Sequence, residues 1–313
     1  MKITLAPMEG VMDHHMRQLL TNIGGIDLCV TEFVRVIELR LPAKVFRRLS
    51  PELHSDSKTL SGTPVRIQLL GQNPNCLAMN AAKALLVGSD GIDLNFGCPA
   101  KTVNKSKGGA VLLKSPEKLY DIVKTVKQVM PNDRVLSAKI RLGYDDKTLT
   151  IENAQAIAEA GADEIAVHAR TKEEGYKPPA HWHWIAKIRE SIDVPVTANG
   201  DIFTFDDAQR CMEISGCDRL MIGRGSLAMP NLAQVIKGNE APYTWEQTLT
   251  LMIHYLAIQT DGEKEKYLPS RIKQWLVFMR EQQPQAGDFL RHIRKIKKTD
   301  EMIAAIQKAL LTA

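Results

Sequence analysis

Short apolar runs alternate with amphipathic segments of helix length along the first 225 residues of the chain. Eight such runs, rich in leucine or β-branched residues, occupy positions 3–8, 28–33, 65–71, 91–97, 135–143, 164–170, 194–200 and 219–225. The runs are apolar almost throughout, which is typical of parallel strands buried under helices. Eight βα units in succession predict an α/β fold, a (β/α)₈ TIM barrel. An open doubly wound sheet is the alternative, although no G-x-G-x-x-G follows the first run.

After residue 225 the apolar positions recur only with helical spacing. They form three stripes, made of Leu249, Met252, Ile253 and Leu256, of Ile272, Trp275, Leu276 and Met279, and of Ile303, Ile306 and Leu310. Thr244 and Gln247 have the spacing of a capping box at the start of the first helix. The pattern predicts a barrel over residues 1–242, followed by a small all-helical domain over residues 243–313.

Composition and cysteine spacing narrow the class of protein. The chain has 313 residues, of which 44% are hydrophobic and 25% charged. Its first ten residues hold one lysine and only a short apolar run, which favours neither a secretory signal nor a membrane span. The five cysteines form no C-x-x-C pair, so neither a disulfide framework nor a metal site is indicated. We expect a cytoplasmic monomer that has neither a membrane partner nor a metal site.

The net charge of +5 is unevenly distributed. Residues 264–298 hold ten Lys/Arg against three Asp/Glu, which is +7 and leaves −2 for the remainder. A basic cluster of this kind indicates a polyanionic partner such as a nucleic acid. A basic surface helix without a partner is the alternative.

Polar side chains stand at or just beyond the end of nearly every apolar run. They include Glu9, Glu32, Gln68, Asn95, Cys98, Lys139, Arg141, His168, Arg170, Asn199, Asp201 and Arg224. Because the C-terminal strand ends form the active face of a barrel, these side chains are predicted to meet on one rim. The glycine-containing segments 199–201 and 223–225 follow the seventh and eighth runs, where such barrels bind phosphate. Arg224 could add a charge-assisted contact to that phosphate.

Several motifs together resemble those of the tRNA-dihydrouridine synthases. They are APMEGV (6–11), LNFGCPAKTV (94–103), GGA (108–110), VHAR (167–170), ANGDI (198–202) and IGRG (222–225). FVRV (33–36) and RIKQW (271–275) resemble the C-type bacterial subgroup, which modifies position 16 of the D-loop. The resemblance implies a barrel that binds FMN tightly, uses NADPH as reductant and acts on tRNA.

The resemblance also assigns residues. Those matched to the FMN site are Pro7, Met8, Glu9, Gln68, Lys139, His168, Asn199, Gly200, Asp201, Gly223 and Arg224. Those matched to uracil or tRNA contacts are Arg35, Asn95, Arg141, Tyr176, Arg271, Lys273 and Arg294. Phe96 departs from the pattern, since many relatives have a cysteine or a small residue there, and we expect it to alter packing only.

The resemblance implies a two-step reduction of uracil. Hydride passes from reduced FMN to C6, and the enolate that remains takes up a proton at C5 from the opposite face. Cys98 is the implied proton donor, held on a loop that Pro99 restricts. The uridine must leave its stack to reach such a site. Lys101, Lys105 and Lys107 would then meet RNA phosphate.

Two other functions remain open from the sequence alone. A flavin-dependent barrel reductase of a free pyrimidine or another small molecule would share the FMN site but would not need the basic helices. An RNA-binding protein on an inactive barrel would keep the basic helices and lack the chemistry.

Overall fold

Eight parallel strands close into a barrel in the computed structural model, which describes residues 1–258 and 265–312. The strands are β1 Lys2–Leu5, β2 Leu28–Arg35, β3 Val65–Leu70, β4 Gly91–Asn95, β5 Val135–Gly143, β6 Glu164–Thr171, β7 Val196–Asn199 and β8 Arg219–Ile222. Each strand pairs with the next in the chain, and β8 pairs with β1. The predicted barrel is therefore confirmed, and the open sheet is excluded.

The barrel is surrounded by helices that occupy the predicted amphipathic intervals. They are α1 His14–Ile23, α2 Ala43–Leu49, α3 Pro74–Leu86, α4 Lys101–Lys105, α5 Pro116–Lys127, α6 Thr150–Glu159, α7 Trp182–Ser191, α8 Phe205–Ser215, α9 Arg224–Ala228 and α10 Leu232–Ile236. Short 3₁₀ turns cover Pro51–His54 and Gly109–Lys114. Side-chain caps start several of the helices: Asp13 accepts from the N–H of Met16 in α1, and Thr204 with Asp207 forms a capping box on α8.

The C-terminal part is helical, as the stripes predict. It contains α11 Trp245–Ile258, a 3₁₀ turn Glu265–Tyr267, α12 Leu268–Met279, α13 Pro284–Ile293 and α14 Thr299–Leu310. The predicted capping box is present, because Thr244 N–H donates to Gln247 Oε1 at 2.8 Å and Gln247 N–H to Thr244 Oγ1 at 3.2 Å.

One apolar core runs from the barrel into these helices. Ile272, Trp275, Leu276 and Met279 on α12 are buried in the cluster that also contains the strand side chains. Trp275 Nε1 donates to the carbonyl of Leu227 in α9 at 3.0 Å. This bond anchors α12 to the helix that follows β8. The division at residue 242 stays a prediction. No helix within the described ranges has both the length and the apolarity needed to cross a bilayer.

Candidate active site

A cavity of about 580 Å³ opens at the C-terminal ends of the strands, a size suited to a cofactor or small substrate. The predicted residues that line it are Pro7, Met8, Glu9, Gln68, Asn95, Cys98, Lys139, Arg141, His168, Tyr176, Asn199, Gly200, Asp201, Gly223 and Arg224. The register of the sheet brings several of them side by side. Asn95 pairs with Lys139 across β4 and β5, and His168 pairs with Arg141 on β5 and with Asn199 on β7.

The loop that carries Cys98 is held from both sides. Asn95 Oδ1 accepts from the N–H of Gly97 at 3.0 Å and from the N–H of Cys98 at 2.9 Å. Asn104 Nδ2 donates to the carbonyl of Cys98 at 3.1 Å. Gly109 has a φ of +67°, and a Cβ at this position would lie 2.9 Å from the Cys98 carbonyl oxygen. This glycine is therefore needed for close approach to the Cys98 loop.

The Cys98 thiol lies on the cavity wall and is partly exposed, while Cys29, Cys76, Cys211 and Cys217 are buried. Burial raises the pKa of Cys98 above the ordinary value of 9.0, and the nearby carboxylate of Glu9 adds to this. A hydrogen bond with Ala100 and the cations Arg141 and Lys139 act against the rise without cancelling it. The thiol is therefore protonated at neutral pH, which suits a proton donor better than a nucleophile.

Hydrogen-bonded amides form one side of the cavity. Gln68 Nε2 donates to the Asp93 carboxylate at 2.7 Å, and Asn95 Nδ2 donates to Gln68 Oε1 at 2.7 Å. Lys139, next to them on the cavity wall, is only partly exposed, and this loss of hydration lowers its pKa to about 8. Arg141 lowers the pKa further, while Asp93 opposes the shift. Lys139 is thus a cation at neutral pH that loses its charge under mildly alkaline conditions.

His168 is neutral at physiological pH. Burial lowers its pKa well below the usual range, and the surrounding cations contribute in the same direction; they are Arg141, Lys139, Arg170 and Arg224. Its Nδ1 is buried without a hydrogen-bond partner in the protein. An unpaired buried nitrogen of this kind is costly, so its position on the cavity wall indicates a ligand that completes it.

The loops after β7 and β8 come together, as the phosphate-site prediction requires. A Cβ at Gly225 would lie 2.0 Å from the carbonyl oxygen of Ile202, so the two backbones are in direct contact. Arg224 starts α9 and pairs with Asp201 at 3.2 Å, and the buried Arg170 pairs with the same carboxylate. Asp201 adopts a left-handed φ of +52° between these two cations. The pairing of one carboxylate with both arginines results from the packing of the two loops and is not predicted by the sequence pattern.

Tyr176 stands at the mouth of the cavity between two cations. Its ring centroid is 5.1 Å from the guanidinium of Arg141 and 4.9 Å from that of Arg224. Its edge meets the His168 ring at 5.8 Å between centroids. Arg141 is itself fixed, since it donates to the carbonyls of Gly97, Thr171 and Gly175. An aromatic face at this place could stack on a base.

Four predicted tRNA contacts lie outside the cavity lining. Arg35 donates to Ser106 Oγ at 2.7 Å, next to α4, and Arg294 is exposed on the surface. Arg271 and Lys273 lie outside the buried stripe of α12, as predicted, but neither side chain is without an internal contact. Arg271 donates to the carbonyl of Gly10 at 2.6 Å and pairs with Asp13, and Lys273 donates to the carbonyl of Ile296.

The structure adds residues that were not matched to the FMN or tRNA contacts. Phe278 of α12 reaches the cavity, together with Phe33 and Phe203. Phe278 precedes Met279 and lies outside the apolar stripe of α12. An aromatic residue at a position where the helical pattern expects a polar one was the feature of the sequence that could have indicated this contact. Glu32 also lines the cavity and accepts from the N–H of Gly10, and burial raises its pKa. Trp182 packs inside, with Nε1 donating to the carbonyl of Gly200 at 2.8 Å.

Metal-ligating side chains do not cluster in the described part of the chain, where no group of three or more His, Cys, Asp or Glu has a geometry that could hold an ion.

Similarity to solved structures concerns the fold. The old yellow enzyme homologue from Zymomonas mobilis superposes with a TM-score of 0.53 at 13% sequence identity, covering 78% of this chain and 90% of that one. The structure of TcOYE with pHBA gives a TM-score of 0.53 at 12% identity, covering 79% and 91%. At these identities the likeness establishes a shared barrel architecture alone.

Similarity in sequence is much closer. The tRNA-dihydrouridine(16) synthase of Shewanella oneidensis is 53% identical over 309 residues, covering 99% of this chain and 98% of the relative. The protein of the same name from Escherichia coli (strain K12) is 47% identical over 308 residues and covers 98% of each. A family model described as dihydrouridine synthase matches residues 4–313. The chain therefore belongs to the dihydrouridine synthase family.

Proposed function

We propose that this protein is an FMN-dependent, NADPH-driven enzyme that reduces a D-loop uridine of tRNA, at position 16, to 5,6-dihydrouridine. The observation that carries the proposal is a protonated, partly exposed Cys98 on the wall of a cationic cavity, in a chain whose relatives are named tRNA-dihydrouridine(16) synthases. Membership of the family supports the reaction, while the position and the reductant are the finer parts of the proposal.

The residues present fit a flavin nucleotide. The unpaired Nδ1 of His168 and the cationic Lys139 offer contacts to a polar, electron-rich ring system. Arg224 and the glycine-containing loops after β7 and β8 would hold the phosphate. Bound and reduced, FMN would supply the hydride that uracil accepts at C6.

The chain itself would supply the proton. Cys98 would donate from Sγ to C5 of the base, and its raised pKa keeps that proton available at neutral pH. Asn95 fixes the backbone of the donor by accepting from its N–H, and the apolar side chains of Phe278 and Phe203 would help to exclude water from the cavity.

A uridine in folded tRNA would have to be extruded to enter the cavity, which costs a few kcal/mol. Phosphate contacts from exposed cations around the mouth would offset that cost. Lys101, Lys105 and Lys107 are all exposed beside the Cys98 loop, and Arg294 is exposed on the helical part.

The decisive experiment separates this function from reduction of a free pyrimidine. The purified protein is reduced anaerobically with NADPH and mixed either with tRNA that lacks dihydrouridine or with free uridine. Rapid re-oxidation by tRNA alone, with dihydrouridine mapped to position 16, is the expected result. Equal re-oxidation by free uridine would support the small-molecule reductase, and a protein that binds no FMN would contradict both.

A further inference from the structure

A chain of hydrogen bonds runs from a buried carboxylate to the loop of Cys98. Asp93, on β4, is 1% exposed and does not line the cavity. It accepts from Ser137 Oγ at 2.5 Å and from Gln68 Nε2 at 2.7 Å. Gln68 Oε1 then accepts from Asn95 Nδ2, and Asn95 Oδ1 accepts from the N–H of Cys98. The strand register, which pairs Gln68 with Asp93, makes the first link possible.

The direction of this chain is set at its buried end. Ser137 Oγ accepts from Arg66 Nη1 at 2.9 Å, so its own proton points to Asp93. Burial raises the pKa of Asp93, while the hydrogen bonds from Ser137 and Gln68 and the nearby cations Arg66 and Lys139 oppose the rise. In its ionised form the carboxylate only accepts hydrogen bonds, so Gln68 turns its Nε2 towards Asp93. If the Gln68 amide were flipped, its Oε1 would face the Asp93 carboxylate, and the two acceptor oxygens would repel each other. Asn95 turns Nδ2 to Gln68 Oε1 and Oδ1 to the N–H groups of Gly97 and Cys98, so both ends of the chain of hydrogen bonds favour the same orientation.

We propose that Asp93 is a positioning residue for Cys98. It orients the Gln68 amide so that Oε1 accepts from Asn95. This supports the orientation in which Asn95 accepts from the backbone of Cys98, and so helps to fix the thiol on the cavity wall. The catalytic meaning of this position rests on the proposed role of Cys98 as proton donor. Asp93 acts through two other side chains and contacts no reacting atom.

The test compares two substitutions that act on the hydrogen bonds of the Asp93 carboxylate. Asp93→Asn replaces an acceptor of both bonds by an amide, whose Nδ2 must face either Gln68 or a Ser137 hydroxyl already engaged with Arg66. Because an amide can donate as well as accept, it no longer imposes a single orientation on Gln68. Ser137→Ala is the matched control, because it removes the other bond and leaves the link from Asp93 to Gln68 intact.

The readout is the rate at which iodoacetamide labels Cys98 in the full-length protein without tRNA, followed by mass spectrometry of the cysteine peptides. We expect Asp93→Asn to raise that rate about threefold or more, since a hydrogen bond to a charged group is a strong one. Ser137→Ala should leave it unchanged, and the four buried cysteines should stay unlabelled in both variants. Unchanged labelling of Cys98 in Asp93→Asn would overturn the proposal. Labelling of all five cysteines would overturn it too, because Asp93 would then support the whole barrel and not one loop.

A third substitution tests whether Asp93 acts on Cys98 through Gln68. Gln68→Leu interrupts the chain at its next link and should also raise Cys98 labelling. Combined with Asp93→Asn it should add nothing further, because both changes break the same connection. Additive effects would show that Asp93 acts by another route. Labelling needs neither cofactor nor substrate, so it decides the positioning role, whereas the tRNA turnover of Cys98→Ala decides the proton-donor role.

Discussion

At the scale of single residues, the cavity holds its titratable groups in distinct protonation states. Burial raises the pKa of Cys98, lowers that of Lys139 to about 8 and lowers that of His168 well below the usual range. At neutral pH the site therefore contains a protonated thiol, a lysine cation and a neutral imidazole. This combination suits binding of an electron-rich ring and donation of one proton.

The first prediction concerns Cys98→Ala. The substitution should slow re-oxidation of the reduced protein by tRNA about 10²- to 10⁴-fold, the usual effect of losing a general acid. Reduction by NADPH should stay close to normal, because no proton from the thiol is needed in that half-reaction. Rapid mixing measures the two steps separately. Equal slowing of both would indicate that Cys98 only shapes the cavity.

The second prediction concerns Lys139 and pH. Its folded pKa of about 8 means that the free protein loses this positive charge as pH rises through 8. Binding of anionic FMN above that pH must take up a proton, so affinity should fall by up to about tenfold between pH 7 and pH 9. Titration of the flavin-free protein with FMN at each pH measures this affinity. Lys139→Gln should bind more weakly at pH 7 and lose this dependence, and an unchanged pH profile in the variant would exclude Lys139 as its source.

At the scale of elements, the site depends on how loops are fixed to the barrel. The Cys98 loop is held by the 3₁₀ turn that starts at Gly109, and the loop after β1 is held by α12 through Arg271. In each case a contact from another element determines where a cavity-lining segment lies.

The third prediction concerns Gly109→Ala. At a φ of +67°, with its Cβ 2.9 Å from the Cys98 carbonyl oxygen, alanine should reduce the free energy of unfolding by about 1–3 kcal/mol. It should also displace the Cys98 loop and slow tRNA turnover. The adjacent Gly108→Ala is the control, because Gly108 has a φ of −108° and its Cβ would lie 3.3 Å from the tip of the Leu70 side chain and 3.8 Å from the Gly71 backbone, the latter an ordinary contact. Denaturant unfolding of both variants gives the comparison, and equal losses would contradict the steric explanation.

The fourth prediction concerns Arg271. Because its guanidinium joins α12 to the carbonyl of Gly10 and to Asp13, Arg271→Ala should lower the free energy of unfolding by about 1 kcal/mol. A pure RNA contact would leave stability unchanged and weaken tRNA binding only. Lys273→Ala, in the same helix, is the matched control, because the hydrogen bond that Lys273 donates goes to Ile296, within the C-terminal part. Thermal unfolding and tRNA binding together separate docking from recognition.

At the scale of the whole molecule, the exposed cations decide how a polyanion would approach. Arg294, Lys295, Lys297 and Lys298 are exposed on the C-terminal helices, and Lys101, Lys105 and Lys107 are exposed beside the cavity. A ligand of tRNA size could reach both groups, while the net charge outside residues 264–298 is negative.

The fifth prediction follows from these charges. Each lysine or arginine that contacts a phosphate should contribute about 0.7–0.9 to the negative slope of log K against log salt. Replacing Lys295, Lys297 and Lys298 by alanine should weaken tRNA binding at low salt and flatten that slope. Lys2→Ala is the control, since Lys2 is exposed at the opposite face of the barrel, where β1 begins. A slope equal to that of the unmodified protein would mean that these lysines serve solubility.

Much of this site could be predicted from the sequence because barrels place strand ends on one rim. Lys139 and His168 follow from that rule alone, and the family motifs add Tyr176, which lies in a loop. Contacts set by three-dimensional packing could not be read in this way. Phe278 reaches the cavity from a helix whose docking depends on Trp275, and Asp93 acts through a register that places it beside Gln68. The tRNA contacts stay predictions.

The contact between Trp275 and the Leu227 carbonyl has a consequence for exchanging parts between relatives. Because α12 packs on the helix that follows β8, its partner surface is encoded before residue 242, while the wall that Phe278 adds to the cavity is encoded after it. In a chimera joined at the end of the barrel, Trp275 from one relative would pack on the α9 helix of another. Crossovers placed before α9, so that α9 and α12 come from the same relative, should preserve the cavity better than crossovers at residue 242.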